Sequence, residues 1–343
     1  MRPATADDVL ELLDASFTAA AVGAALELGV FWLLEERALG EPEVAQALGV
    51  PPGRCRHWLA LLCHAGLLEN GPHGYQLTEQ ARAAILRVYS EDTWALLAQE
   101  ARERLPGICG LPDRLRAPTP LTGGAGTETP AYVARMVEDP QRARQFTRML
   151  CELHRPLAEA LAEALDLHGV ARLLDLGGGS GVLALALVRR HSHLAVTVVD
   201  VESVCAAGRE IVAESALGDR IAFQAADFLR DPLPVGFDMV VECDVGVYGE
   251  ALFAKVRNAL RPGGRLVIVD QLAIPEGPPP FAHLRWAFER SLRDPGFSAP
   301  AEARLREQLE AAGFKAISEG RPLTIQDPAR RMSEGMVVIE ARG

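Results

Sequence analysis

Apolar residues recur at helical spacing through the first ninety positions. Val9, Leu12, Leu13 and Phe17, then Val22, Ala25, Leu26 and Leu28, predict helix across residues 8–36, punctuated by Gly23 and Gly29. Glu41–Leu48 predicts a short helix, and Gly49-Val50-Pro51-Pro52 a turn that sets proline at the next helix start. Arg54–Leu68, with Trp58, Leu59, Leu61, Leu62 and Leu67, predicts that second helix. Asn70-Gly71-Pro72-His73-Gly74 reads as a tight turn before a small strand, Tyr75-Gln76-Leu77. Helix, turn, helix and two-stranded wing form a winged-helix pattern. Residues 105–130, rich in Pro, Gly and Thr, read as a connector, followed by two amphipathic helices at about 130–150 and 151–167.

From residue 171 the pattern changes to apolar strands alternating with helical periodicity. Strands fit at 171–176, 195–200, 220–225, 237–242, 264–270, 314–319 and 335–341. Strand–helix alternation predicts an α/β domain with a mostly parallel seven-stranded sheet and helices on both faces. The expected organisation is residues 1–90, 91–167 and 168–343. A chain of 343 residues exceeds what one core holds, about 250–300.

Composition adds exclusions. With 49% apolar and 24% charged residues, the chain is neither disordered nor collagen-like. No run approaches the roughly 20 uninterrupted apolar residues of a membrane span, and Asp7, Asp8, Glu11 and Asp14 rule against a secretory leader. A cytoplasmic protein without a membrane partner is the expectation. The net charge is −11, and residues 1–90 hold six Arg, no Lys and eleven acids. Such a module repels phosphate, so no nucleic-acid partner is expected, and the winged helix reads as the contact of a two-fold homodimer. The six cysteines lack metal-ligand spacing and read as reduced thiols, with no metal site.

The sharpest chemical signal is Leu173-Leu174-Asp175-Leu176-Gly177-Gly178-Gly179-Ser180-Gly181, where a strand runs into a helix through glycines. Such a loop lets backbone approach a ligand and aims helix N-terminal amides at it. The dinucleotide spacing Gly-x-Gly-x-x-Gly fails here, because neither frame places glycine at every required position. Acids stand at strand ends instead: Asp175 before the glycines, and Asp200 nineteen residues beyond Gly181, where a carboxylate can accept both ribose hydroxyls. Asp227-Phe228 follows the third strand, a carboxylate and an aromatic suited to an adenine edge and face.

This constellation resembles the class I S-adenosylmethionine-dependent methyltransferases. More narrowly, the whole chain is similar to small-molecule O-methyltransferases of plants and bacterial natural-product pathways. The resemblance rests on LLDLGGGSG, VVD at the second strand, AADF after the third, FDMVVECD, ALRPGGRLVIVDQ and LEAAGF. It implies a Rossmann-like sheet preceded by an α-helical winged-helix dimerisation domain, with residues 91–167 as a helical connector lining the acceptor pocket. It implies S-adenosylmethionine as cofactor, with Gly177, Gly178 and Gly179 beside Asp175 along the methionine part, and Asp200 with Val201 at the ribose. Asp227 and Phe228 would hold adenine, and Glu242 or Cys243 would sit beside the cofactor.

The chain departs from that family where a His-Asp-Trp segment carries the general base. Here the stretch is Cys243-Asp244-Val245-Gly246-Val247-Tyr248-Gly249-Glu250, shortened and without histidine. The candidates for the catalytic role are His283, Asp244 and Tyr248. His283 shares a helix with Arg285, Trp286 and Glu289 that covers the acceptor pocket in this family, and a lone helical histidine is as readily structural. Phe146, Met149 and Trp286 are candidate pocket residues, ordinary core packing being the plainer reading. The expected activity is methyl transfer to a small aromatic or polyketide-like acceptor, at O, C or N, without the usual histidine. The alternative is a pocket turned to decarboxylation, hydroxylation or cyclisation with S-adenosylmethionine kept structurally.

Overall fold

Thr5 starts the first helix. Its side chain accepts from the Asp8 N–H at 3.2 Å, and the Asp8 carboxylate accepts from the Thr5 N–H at 2.8 Å, a capping box. The structure, a computed structural model, describes residues 4–116, 132–273, 281–293, 296–326 and 335–343. Residues 117–131 of the expected connector lie outside them. Two units divide the chain, the first ending at Leu111 and the second holding the described residues from Pro112 onward.

In the first unit, helix α1 (Ala6–Glu27) leads through α2 (Val30–Leu33) to α3 (Glu41–Leu48) and α4 (Pro52–His64). Strands β1 (Leu68–Gly71) and β2 (Gly74–Leu77) form the antiparallel wing, with Leu68 opposite Leu77. A short α5 (Glu79–Ala81) runs into a π-turn at Arg82–Leu86 before α6 (Glu91–Cys109). Phe31, Leu34, Leu59, Leu62 and Leu68 are buried together in the core. The helix α6 continues to Cys109, and α7 (Leu111–Arg114) follows, so the start of the expected connector is helical. The residues read as a connector are thus shared, α6 in the first unit and the helices from residue 132 in the second.

Helix α1 keeps Leu13 67% and Phe17 71% exposed. It is also 22 residues long with a mean hydropathy of 1.6 in its apolar window, enough by length and composition to cross a membrane. Asp7, Asp8, Glu11 and Asp14 interrupt it, so the expectation that no uninterrupted apolar run of about 20 residues is present stands. Alanines raise the average without producing an unbroken run of large apolar residues.

The second unit begins with α8 (Tyr132–Glu138) and α9 (Pro140–Ala164). The two expected helices divide at Asp139, not near 150, because its carboxylate accepts the Arg142 N–H at 3.0 Å and starts α9 there. Leu153, Leu157 and Leu161 recur every four residues along α9 and are buried. The chain then winds through β3 (Arg172–Leu176), α10 (Val182–Arg190), β4 (Ala195–Asp200), α11 (Glu202–Ala213) and β5 (Ile221–Ala225). It continues through β6 (Phe237–Cys243), α12 (Glu250–Ala259), β7 (Leu260–Gln271), α13 (Phe281–Arg293), α14 (Glu302–Ala311), β8 (Arg321–Pro322) and β9 (Met336–Arg342).

The sheet order is β5-β4-β3-β6-β7-β9-β8, parallel from β5 to β7, with β9 antiparallel to β7. The chain reverses direction across the sheet between β3 and β6, which opens a crevice beyond their carboxyl ends. The strand expected at 314–319 is not formed. Lys315 makes one isolated bridge with Arg342, then Ala316 turns into the left-handed region at φ 46°, Ser318 N–H donates to the Glu340 carbonyl at 2.8 Å, and a ladder forms again in β8.

One glycine of α11 sets the depth of that crevice. A Cβ on Gly208 would lie 2.4 Å from the Phe223 ring and 2.8 Å from the Gly179 carbonyl oxygen. Gly208→Ala is therefore expected to displace α11 and lower stability by about 1–3 kcal/mol. Urea unfolding would measure it, and an unchanged midpoint would contradict the packing described.

Candidate functional site

The glycine loop closes the carboxyl end of β3. Gly177 and Gly179 adopt φ 71° and 53°, conformations that side chains resist. A Cβ on Gly178 would fall 2.4 Å from the Asp175 carboxylate carbon, so the loop lies directly on that acid. The Gly179 N–H donates to Asp200 Oδ2 at 3.1 Å and the Val201 N–H to Oδ1 at 2.8 Å. These bonds orient the Asp200 carboxylate toward the loop. Asp175 is buried and its Oδ2 has no hydrogen-bond partner among the described residues.

Side-chain alternation along the strands decides which acids meet. Asp175 lies opposite Val198 and Val241, so Asp175, Asp200 and Cys243 share the sheet face covered by α9 and α10. Glu242 lies opposite Leu176 and Ile268, which places it with Asp270 on the other face, with the core beneath α12 and α14. The expected site residues therefore form two groups.

In the first group, burial raises Asp175 to about 7, with the Asp200 charge adding to it. Burial also raises Asp200 to about 6, against the two amides that favour its charge. In the second, burial and then Asp270 raise Glu242 to about 8. Among the described residues neither Glu242 oxygen has a hydrogen-bond partner, so the group keeps its proton at neutral pH. Asp270, raised to about 6 mainly by burial, accepts from the Tyr248 hydroxyl, from Gly246 N–H at 2.9 Å and from Gln271 N–H at 2.7 Å. Burial first, and Asp270 second, push Tyr248 far up, so its hydroxyl remains a donor. Cys243 is raised well above an ordinary thiol by burial and three nearby acids, which leaves it unreactive.

The loop after β5 completes the crevice. Asp227 Oδ1 accepts from Leu229 N–H at 3.1 Å. The Phe228 ring would lie 3.7 Å from a Cβ on Gly177, and Val245 3.0 Å. Lys255 Nζ donates to the carbonyls of Phe228, Leu229 and Asp231 at 3.2, 2.9 and 3.0 Å and clamps this loop. Sequence patterning did not single out Lys255, although it is one of only two lysines in the chain.

Of the three expected pocket residues, Phe146 and Met149 lie one turn apart on α9 and Trp286 lies on α13. Phe146 packs with Met136, Ala143, Val201 and Val204. Met149 is buried on α9. Trp286 lies 5.2 Å from the His283 ring and 5.4 Å from Phe297, ring centre to ring centre. His283 is buried, its Nδ1 has no partner among the described residues, and burial lowers its pKa. Among the described residues no hydrogen bond or ion pair joins it to Asp244 or Tyr248.

Asp244 instead pairs with a histidine that the motif reading passed over. His154, on α9, meets Asp244 Oδ2 through Nε2 at 2.9 Å, while its Nδ1 meets the Leu150 carbonyl at 2.9 Å. Ninety residues separate the partners, so no local spacing announces the pair.

The glycine loop, the oriented Asp200 and the crevice at the sheet's reversal point define a class I methyltransferase site. Residues 123–315 match the O-methyltransferase domain family, and residues 10–86 the O-methyltransferase dimerisation domain. The chain belongs to this family of S-adenosylmethionine-dependent methyltransferases. It is 30% identical over 317 residues, 91% of each chain, to the N,N-dimethyltransferase OxyT of Streptomyces rimosus. It is 31% identical over 254 residues to the 3-hydroxy-5-methyl-1-naphthoate 3-O-methyltransferase of Streptomyces sahachiroi, covering 73% of this chain and 72% of that one. Its fold matches that of the mitomycin 7-O-methyltransferase MmcR with a TM-score of 0.80 at 21% identity, over 98% of this chain and 97% of that one.

The buried acids have a measurable consequence. Glu242 is raised from about 4.3 in the unfolded chain to about 8 in the fold. Its contribution to stability is complete below the unfolded value and is lost as pH rises through the folded one. Between roughly pH 5 and 9, the melting temperature of Glu242→Gln is expected to fall less steeply than that of the wild type. Equal slopes by scanning calorimetry would contradict the assignment.

Proposed function

We propose that this protein transfers a methyl group from S-adenosylmethionine to a small aromatic or polyketide-like natural-product intermediate. The observation that carries the reading is the Asp200 carboxylate, held by the Gly179 and Val201 amides at the edge of a glycine loop whose other acid, Asp175, lacks a partner. The site fits the cofactor chemically. Asp200 retains lone pairs for two ribose hydroxyls, and a cationic ligand offsets the cost of burying Asp175 and Asp200 together. The Gly177–Gly179 backbone leaves room for the methionine part, with Phe228 and Asp227 toward the base. When bound, S-adenosylmethionine supplies a methyl group on a positively charged sulfur. The chain's own part is to hold an acceptor atom in line with that group, about 3–3.5 Å away.

Relatives named for transfer to nitrogen and to a phenolic oxygen support a small ring-bearing acceptor and leave the methylated atom open. Release of S-adenosylhomocysteine against a panel of phenols and aromatic amines tests the activity. Asp200→Ala is expected to weaken S-adenosylmethionine binding by about tenfold or more. Gly179→Val is expected to do worse, since its side chain would enter the cofactor space beside Asp200. Unchanged calorimetric affinity in both would sink the cofactor assignment.

The assembly follows from α1. A helix that leaves Leu10, Leu13 and Phe17 exposed has an apolar face to cover, and the dimerisation-domain match supports a second copy as its cover. A homodimer acting in the cytoplasm is the corresponding proposal. Phe17→Asp is expected to reduce the light-scattering mass to that of one 36.9 kDa chain while helix content is retained. A dimer that persists at micromolar concentration would refute this contact.

A further inference from the structure

Asp244 stands at the carboxyl end of β6 with φ 55°, a left-handed conformation that aspartate tolerates better than most residues. Its N–H donates to the Val269 carbonyl at 2.8 Å, which fixes the backbone in that turn. The next residue, Val245, touches the space above Gly177, so Asp244 borders the cofactor loop. Its side chain is 35% exposed and that of His154 18%. The histidine is thus the covered member and the acid the one that reaches open space.

Both ring nitrogens of His154 face acceptors, the Leu150 carbonyl and the Asp244 carboxylate. A carbonyl and an ionised carboxylate only accept, so the doubly protonated ring alone satisfies both contacts. The pair is therefore an imidazolium–carboxylate ion pair. Burial acts against that charge, yet the hydrogen bond and charge of Asp244 outweigh it and hold His154 above the ordinary histidine value. The remaining Asp244 oxygen, Oδ1, has no protein partner among the described residues.

We propose that Asp244 receives the acceptor's proton during methyl transfer and that His154 is its positioning residue, holding the carboxylate with its free oxygen turned to the acceptor. This rests on the acceptor reading above. For a hydroxyl acceptor, an oxygen lone pair forms the new bond to the methyl carbon, and the old carbon–sulfur pair leaves with sulfur. The O–H pair stays on oxygen, and the proton passes to Asp244 Oδ1 and then to water. A carboxylate suffices because the oxygen becomes strongly acidic as its third bond forms. The shortened loop thus loses a histidine in sequence but keeps a proton acceptor in space.

Other titratable groups bear on the pair. Cys243 adjoins it on β6, and Asp270 and Tyr248 interact with Asp244 from β7 and its facing loop. Arg290 of α13 reaches Gly246 near Asp270, where its Nη2 would lie 3.7 Å from a Cβ. Glu152 and Arg155 neighbour His154 in the sequence of α9, and Asp244 is the titratable group hydrogen-bonded to the imidazole.

The test combines a resonance readout with kinetics. The His154 ring, followed by NMR in free and S-adenosylhomocysteine-loaded enzyme, is expected to titrate above the usual value of about 6.5 and to drop in Asp244→Asn. With a hydroxynaphthoate as probe acceptor, Asp244→Asn is expected to lower kcat by about 100-fold or more, with cofactor affinity within about threefold. His154→Ala is expected to lower kcat by about tenfold. His154→Gln, which keeps a donor without charge, should recover most of the rate and move the acid limb of the pH profile upward.

An ordinary His154 titration, unmoved by Asp244→Asn, overturns the pair. An acid limb that shifts in His283→Gln and not in His154→Gln overturns the role. A wild type that methylates no acceptor while the pair titrates as expected overturns the acceptor reading, and the proton role with it. Loss of the pair's titration in an active wild type overturns the pair alone.

Discussion

Four carboxyl groups, Asp175, Asp200, Glu242 and Asp270, are buried at the carboxyl ends of four neighbouring strands with few cations to meet them. Burying a charge without a partner is among the most expensive things a fold can do, and proteins respond by adding donors or retaining protons. This chain does both. Asp200 and Asp270 receive backbone amides, and Tyr248 adds its hydroxyl to Asp270. Glu242 receives nothing and keeps its proton. Asp175 is left with an unmet oxygen beneath the glycine loop, and a positively charged ligand is the natural complement.

The rest of the second unit can be understood as what holds those acids in place. Strand alternation sends Asp175 and Asp200 to one face of the sheet and Glu242 with Asp270 to the other, so the two groups of acids differ in their surroundings although all stand at the carboxyl ends of their strands. Gly208 permits α11 to approach the Gly179 carbonyl, which sets the height of the loop above Asp200. Lys255 gathers three carbonyls of the Phe228 turn and spares that turn from ending in unsatisfied polar groups. These are backbone-level constraints, and they explain why the loop needs glycines in a row more than any particular side chain.

The loop after β6 carries no histidine, and the proposed proton acceptor meets that absence with a carboxylate. Methyl transfer depends first on distance and alignment, and the proton leaves an atom that grows more acidic as the bond forms. In the proposed role, the Asp244 carboxylate held by His154 meets that need. His283 occupies an aromatic cluster with Trp286 and Phe297, where burial keeps its ring neutral.

Much was legible in the residues themselves. The Glu41–Leu48 helix, the wing turn around Gly74 and the strands ending in Leu176, Asp200 and Ala225 follow from local spacing, because helix and strand periods are written into neighbouring positions. The glycine loop and its acids were legible for the same reason, since loop and strand end are contiguous in the chain. The break at Asp139 was missed because apolar periodicity runs on both sides of a cap that only its hydrogen bond reveals. The strand expected at 314–319 failed at Ala316, whose left-handed backbone no composition announces. Which sheet face each acid occupies required the register between β3, β6 and β7. The pairing of His154 with Asp244 required α9 to cross the end of β6, and contacts ninety residues apart leave no trace in local pattern. Sequence alone determined the elements and the cofactor loop, whose causes are local. Tertiary structure alone decided which charges meet, because that depends on how distant elements pack.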